Sequence, residues 1–154
     1  SDNKGFVLWK LAIPMEKVGR GEETMKVKGF NHITLNVRNL DSTLSFYSEV
    51  LGMNIRHKGR RDAYLEWGTA WICIVEEPFH HEVDSRHLGM DHVAFFIEEE
   101  DFDEAVKILK ERQVNIVREV IQRGKGRAIN FVDVNGIEFE LHTSTLDERM
   151  KVWK

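Results

Sequence analysis

Two stretches of the chain share one pattern of apolar and polar positions. "GFNHITLNV" begins at Gly29 and "GMDHVAFFI" begins at Gly89. Each has Gly, an apolar residue, Asn or Asp, then His, then a run that reads as a strand. The likeness continues downstream. In "DSTLSFYSEVLG", Leu44, Phe46, Tyr47 and Leu51 make an apolar helical face, with Asp41 as candidate cap and Gly52 as the stop. "NIRHKG", "AYLEWG" and "WICIVEE" then read as three short strands. In the second half, "DFDEAVKILKERQV" puts Phe102, Val106 and Leu109 on one helical face. "NIVREVIQ", "RAINFVDV" and "IEFELHT" follow as strands, with "DVNG" turning between the last two. The pattern predicts an α+β fold of two βαβββ modules, 29–77 and 89–143, forming one curved mixed sheet. A single module has one helix and cannot bury its sheet alone. "TLDERMKVW" carries a capping-box pattern from Thr145 to Glu148, which predicts a C-terminal helix over 145–153.

Composition narrows the class without changing that picture. The chain has 154 residues, 42% hydrophobic and 31% charged, which is enough apolar material for a core without covalent staples. Its one cysteine, Cys73, excludes an internal disulfide and suits a reducing, cytoplasmic setting. A net charge of −4 gives no reason to expect nucleic acid or an anionic membrane as partner. No apolar run approaches the roughly 20 residues of a membrane span. Residues 1–28 read as a leader or extension ahead of a single domain over 29–154: an apolar stretch, a charged linker and a candidate natural start at Met25.

The chemistry lies in the repeat. His32 and His92 hold the same place on the first strand of each half, and pseudo-symmetry would bring such strands together. Neutral imidazole is the commonest protein ligand for metals. The strand "IEFELHT" puts Glu138, Glu140 and His142 on one face by its period of two. A carboxylate buried there must pair or hold a cation, but periodicity does not choose between Glu138 and Glu140. The matching strand of the first half carries Trp71, Ile72, Cys73 and Ile74, so the site is asymmetric and keeps open coordination positions, as a catalytic metal requires. Two imidazoles and a carboxylate suit Mn²⁺, Fe²⁺, Zn²⁺ or Ni²⁺. His80, His81 and His87 read as a polar surface loop, His57 as a solvated face and Cys73 as a small core residue.

Paired modules with "NHITLNV", "DHVAF", "FYSEVLG" and "FELHT" resemble the vicinal oxygen chelate superfamily, which includes glyoxalase I, extradiol dioxygenases and fosfomycin-resistance proteins. "AYLEWGTAWICIVEE", "GKGRAINFVD" and "FELHTSTLDERM" are most similar to the last of these. That resemblance implies metal ligands at His32, His92 and Glu140, with Mn²⁺ as the usual ion. It implies a homodimer in which His32 of one chain meets His92 and Glu140 of the other. It also implies a small-molecule substrate, with water or a thiol cosubstrate as nucleophile. Thr34, Arg127 and Arg149 would act on the reacting anion, and Tyr64 and Trp71 would line the substrate. Asn130 stands at the substrate position where the family usually has Tyr. The expected activity is metal-assisted opening of an epoxide. The alternatives are another metalloenzyme of the superfamily, of dioxygenase or glyoxalase I type, and a drug-sequestering protein without catalysis.

Overall fold

The computed structural model describes residues 25–83 and 87–152. The backbone divides into Ser1–Phe30 and a body, Asn31–Lys154. Of the first unit, residues 25–30 are irregular and exposed. The apolar stretch, and most of the charged linker, lie outside the described residues.

The body has the expected α+β order. The first module comprises β1 (His32–Val37), α1 (Leu40–Ser45), β2 (Asn54–Lys58), β3 (Asp62–Trp67) and β4 (Ala70–Glu76). The second comprises β5 (Val93–Phe96), α2 (Glu99–Glu111), β6 (Asn115–Arg123), β7 (Gly126–Val132) and β8 (Glu138–His142). A last helix, α3, spans Leu146–Val152. In place of one curved mixed sheet there are two four-stranded mixed sheets, one from each module, ordered β1-β4-β3-β2 and β5-β8-β7-β6. In each, the first strand runs parallel to the last and the other pairs are antiparallel.

Each strand sorts its residues by alternation. In β1, Leu35 and Val37 are buried while His32, Thr34 and Asn36 are exposed. The inward faces of both sheets, with Leu44 and Tyr47 of the first helix and Phe102 and Leu109 of α2, form one continuous core. Phe139 sits inside it, with the rings of Tyr47, Phe95 and Phe131 at 5.6, 5.6 and 5.8 Å. The polar faces that carry the histidines point away from that core.

Local chemistry sets the ends of the elements. Asn39, not Asp41, caps α1: its side chain accepts from the Ser42 N–H at 2.8 Å. Asp41 is one residue into the helix and pairs with Lys58 instead. The helix runs on as a π-helical turn over Phe46–Val50, which places the Tyr47 hydroxyl against Asp133 at 2.7 Å. Asp133 opens the β7–β8 turn. Its other oxygen accepts from the Asn135 and Ile137 amides, both at 2.8 Å. The positive φ of Gly136 closes that turn as the "DVNG" pattern predicts. At the C-terminus, the Thr145 amide donates to Glu148 Oε2 at 2.8 Å and the Glu148 amide to Thr145 Oγ1 at 3.3 Å, completing the predicted capping box.

Candidate metal centre

Strand pairing places two sets of side chains on the outward sheet faces. In the second module, Ala94, Glu140, Asn130 and Arg118 lie in one row across β5, β8, β7 and β6. His92 is one residue ahead of β5, and its Nε2 lies 3.5 Å from Glu140 Oε2. Two ligands each about 2.1 Å from one ion, at roughly a tetrahedral angle, stand about 3.4 Å apart. The pair therefore has the spacing of two ligands of a common cation. Glu140 is 7% exposed, so its carboxylate has given up most of its water and gains from a cation. Glu138 and Glu140, equal by alternation, differ in their partners: Glu138 Oε1 accepts from Asn130 Nδ2 at 3.0 Å.

The residue before each repeated histidine has a function that the repeat itself displays. Asp91 Oδ2 lies 2.7 Å from His92 Nδ1, and Asn31 Oδ1 lies 2.6 Å from His32 Nδ1. Both oxygens are acceptors, so Nδ1 carries the proton and Nε2 keeps its lone pair for a metal. The hydrogen bond from His92 holds the Asp91 carboxyl below its usual range, with Arg118 among the nearby charges that add to the effect.

In the first module, the same geometry places His32 beside Trp71 and Thr34 beside Cys73, with Tyr64 next to Cys73. The His32 and Trp71 rings are 4.4 Å apart, and Tyr64 meets Trp71 edge-on at 6.0 Å. This is an aromatic surface with a histidine at its end. Glu66 shares it and is held by Arg56. Since Thr34 pairs with Cys73 as Ala94 pairs with Glu140, Cys73 is the first-module counterpart of Glu140. It is buried, as expected, but on the histidine-bearing face.

The chain assembles only part of the expected triad. His92 and Glu140 are together, but among the described residues no three acidic, histidine or cysteine side chains gather closely enough to hold a metal. His32 belongs to a separate half-site.

Two of the expected arginines part company. Arg149 lines a cavity of about 340 Å³ with Ala94, Phe96, His142 and Ser144, next to Glu140 along β8. Arg127 does not face the site. Alternation along β7 puts it on the face opposite Asn130, where α2 packs. Its guanidinium binds Glu99 at 2.7 Å and Asp103 at 2.6 Å and lies 4.6 Å over the Phe102 ring. A hydrogen bond from Thr143, and then Arg127, lower the Glu99 carboxyl; Arg127 lowers that of Asp103, and the two carboxylates raise the guanidinium. Glu99 and Asp103, one turn apart on α2, thus make Arg127 a structural residue. Arg118 is the arginine in the Glu140 row, and register shifts on either side of it hide its face from a simple period of two.

A sequence model described as the Glyoxalase/Bleomycin resistance protein/Dioxygenase superfamily matches residues 29–141. The chain belongs to this superfamily. Among curated relatives, the metallothiol transferase FosB of Staphylococcus epidermidis is 37% identical over 131 residues, covering 84% of this chain and 92% of the relative. The glutathione transferase FosA of Serratia marcescens is 29% identical and covers 80% of this chain and 86% of the relative. Among solved structures, the fosfomycin resistance protein FosX of Listeria monocytogenes, complexed with Mn(II) and sulfate, superposes with a TM-score of 0.67. It is 31% identical, and the match covers 82% of this chain and 98% of that one. The homology to fosfomycin-resistance metalloenzymes thus extends over nearly the whole body, including both half-sites. No helix of the described residues is long and apolar enough to cross a membrane.

Proposed function

We propose that this protein is a divalent-metal-dependent enzyme that opens the epoxide of fosfomycin, or of a closely related small oxyanion, by adding a thiol or water. The observation that carries the reading is the His92–Glu140 pair at 3.5 Å, with the His92 Nδ1 anchored so that Nε2 is available. Its homology to FosB, FosA and FosX supplies the reaction class.

His92 and Glu140 would hold the metal, with Mn²⁺, the ion in the FosX complex, as the ion we propose, and His32 of a second copy would complete the triad in a homodimer. The bound ion would serve as a Lewis acid toward the oxygen on which negative charge develops as the ring opens. The chain's own residues would do the positioning. Arg149, beside His142 and Phe96, would take the anionic group as a guanidinium fork. Arg118 would add a second positive charge from the Glu140 row. Thr34 would hydrogen-bond the substrate from the other half-site, where Trp71 and Tyr64 offer apolar surface to its carbon skeleton. A soluble, cytoplasmic enzyme taking a cellular thiol fits this chemistry.

The test is phosphorus NMR of fosfomycin incubated with the Mn²⁺-loaded protein, alone and with glutathione or another small thiol. A new resonance in the presence of a thiol identifies a transferase, and one in its absence identifies a hydrolase. An unchanged spectrum in every condition removes fosfomycin as substrate.

A further inference from the structure

We propose that His142 is a substrate-binding residue whose Nε2–H, beside Arg149, donates a hydrogen bond to the oxyanion of the bound molecule. The inference rests on the metal-and-anion reading given above and adds to it one residue and the atom through which it acts.

The chain fixes the imidazole of His142 the opposite way round from those of His32 and His92. The Ser144 amide donates to His142 Nδ1 at 3.1 Å, and the Ser144 hydroxyl lies 3.3 Å from the same atom. An amide N–H can only donate, so Nδ1 is the acceptor and the proton of the neutral ring sits on Nε2. Asp91 and Asn31 do the reverse at His92 and His32, where Nδ1 carries the proton and Nε2 keeps the lone pair. Two imidazoles are thus set to give electrons to a cation, and a third to give a hydrogen bond. With its proton on Nε2 and its lone pair taken at Nδ1, His142 is not a ligand for the ion.

Packing enforces this arrangement. Gly126 is buried at the start of β7, and a Cβ there would stand 2.6 Å from the Ser144 Cβ and 2.7 Å from its Oγ. The missing side chain lets Ser144 lie against the sheet with its amide turned back on His142. Thr143 anchors the same segment. Its amide donates to the Arg127 carbonyl at 3.0 Å, and its Oγ1 accepts from the Arg127 amide at 2.9 Å.

Location gives that donor its ligand. His142 shares a face of β8 with Glu140, two residues away, a step of about 7 Å along a strand. It is half-buried and lines the cavity of about 340 Å³ that Arg149 also lines. Ala94 lines that cavity too, and it is the Cα partner of Glu140. The cavity therefore opens beside the His92–Glu140 pair, within reach of a small molecule bound there. Among the described residues, the hydrogen bonds of the His142 ring are all at Nδ1. Phe96 and Leu146 make part of the lining apolar. An oxyanion with several acceptor oxygens suits a guanidinium and an imidazole N–H set in one such recess.

The experiment is calorimetric titration of the Mn²⁺-loaded protein with propylphosphonate. His142→Ala is expected to weaken binding at least about tenfold, the effect of one hydrogen bond to a charged group. His142→Gln restores an N–H donor near the place of Nε2 and is expected to stay within about threefold of the parent. Mn²⁺ affinity is expected to stay within about threefold in both, which separates His142 from the metal ligands. A second measurement needs no variant to fold. In the Zn²⁺-loaded parent, whose ion is diamagnetic, a long-range proton–nitrogen correlation spectrum is expected to show the His142 proton on Nε2, and that proton signal is expected to move when propylphosphonate is added. Unchanged affinity in His142→Ala, equal losses in the two variants, a bare Nε2, or a proton signal indifferent to propylphosphonate overturns the inference. Arg149→Met losing propylphosphonate while His142→Ala keeps it leaves the anion reading standing without His142. A parent that takes up Mn²⁺ but not propylphosphonate removes the anion reading, and this inference with it.

Discussion

Glu140→Gln is expected to weaken Mn²⁺ binding by more than about 100-fold, since even changes to residues that only orient a metal ligand cost about 10- to 100-fold. The substitution keeps shape and removes charge. The carboxylate it replaces is nearly buried and sits 3.5 Å from the His92 Nε2. Without a metal, that nearly buried carboxyl has, among the described residues, the His92 imidazole as its neighbour, a contact that contributes little to the fold. Thermal stability of the metal-free protein is therefore expected to stay within about 1 kcal/mol of the parent or to rise slightly. Metal content after gel filtration and the free-Mn²⁺ signal in electron paramagnetic resonance check the first half, and thermal melts check the second. Metal affinity equal to the parent's would mean that Glu140 is not a ligand. Asp91→Ala is expected to show a weaker version of the same loss. His92 then keeps its ring but not the acceptor that fixes its tautomer.

The second large effect is on stability. Asp133→Ala is expected to cost about 3 kcal/mol and to lower the melting temperature by about 6–12 °C for a chain of this size. Asp133 is 6% exposed and accepts from the Tyr47 hydroxyl, the Asn135 and Ile137 amides and, at 3.2 Å, Asn135 Nδ2. Removing it leaves several buried donors without an acceptor and loosens the β7–β8 turn. Tyr47→Phe removes one donor and is expected to cost about half as much. Burial, and then the Asp133 carboxylate, push the Tyr47 hydroxyl well above its ordinary range, so it stays a donor at any working pH. The double variant should cost less than the sum of the two, because both act on one bond. Strict additivity in denaturant titrations would show that Tyr47 and Asp133 act independently.

The repeat made most of this architecture legible. A period of two and a period of 3.6 alternate in the same order twice, and every predicted strand and helix within the body appears. Two strands that begin with the same pattern and carry a histidine at the same place announced the half-sites. What escaped was of three kinds. The cap of α1 fell on Asn39 because the helix begins at Leu40, two residues sooner than a cap at Asp41 would have it. Arg127 was assigned by likeness to a motif, although its own strand argues otherwise. In "GRAINF" it alternates with Ile129 and Phe131, and the facing helix opens with Glu99 and carries Asp103 one turn later. Arg118 was hidden because β6 is irregular on both sides of it, and no period survives a bulge. Periodicity did not separate Glu140 from Glu138, and the resemblance, which favours Glu140, said nothing of their surroundings. Two residues apart on one strand they look alike, and only the neighbouring Asn130 and His92 tell them apart.

The separation of His32 from the His92–Glu140 pair has a genetic consequence under the dimer proposed above. A chain lacking His32 and a chain lacking Glu140 are each inactive alone, since every site of either homodimer carries one lesion. In a mixed dimer both lesions fall in the same site, and the other site is wild type. Random pairing puts half of the dimers in that mixed class, so two dead proteins, unfolded and refolded together, should regain about one quarter of normal activity. A site contained within one chain would recover none.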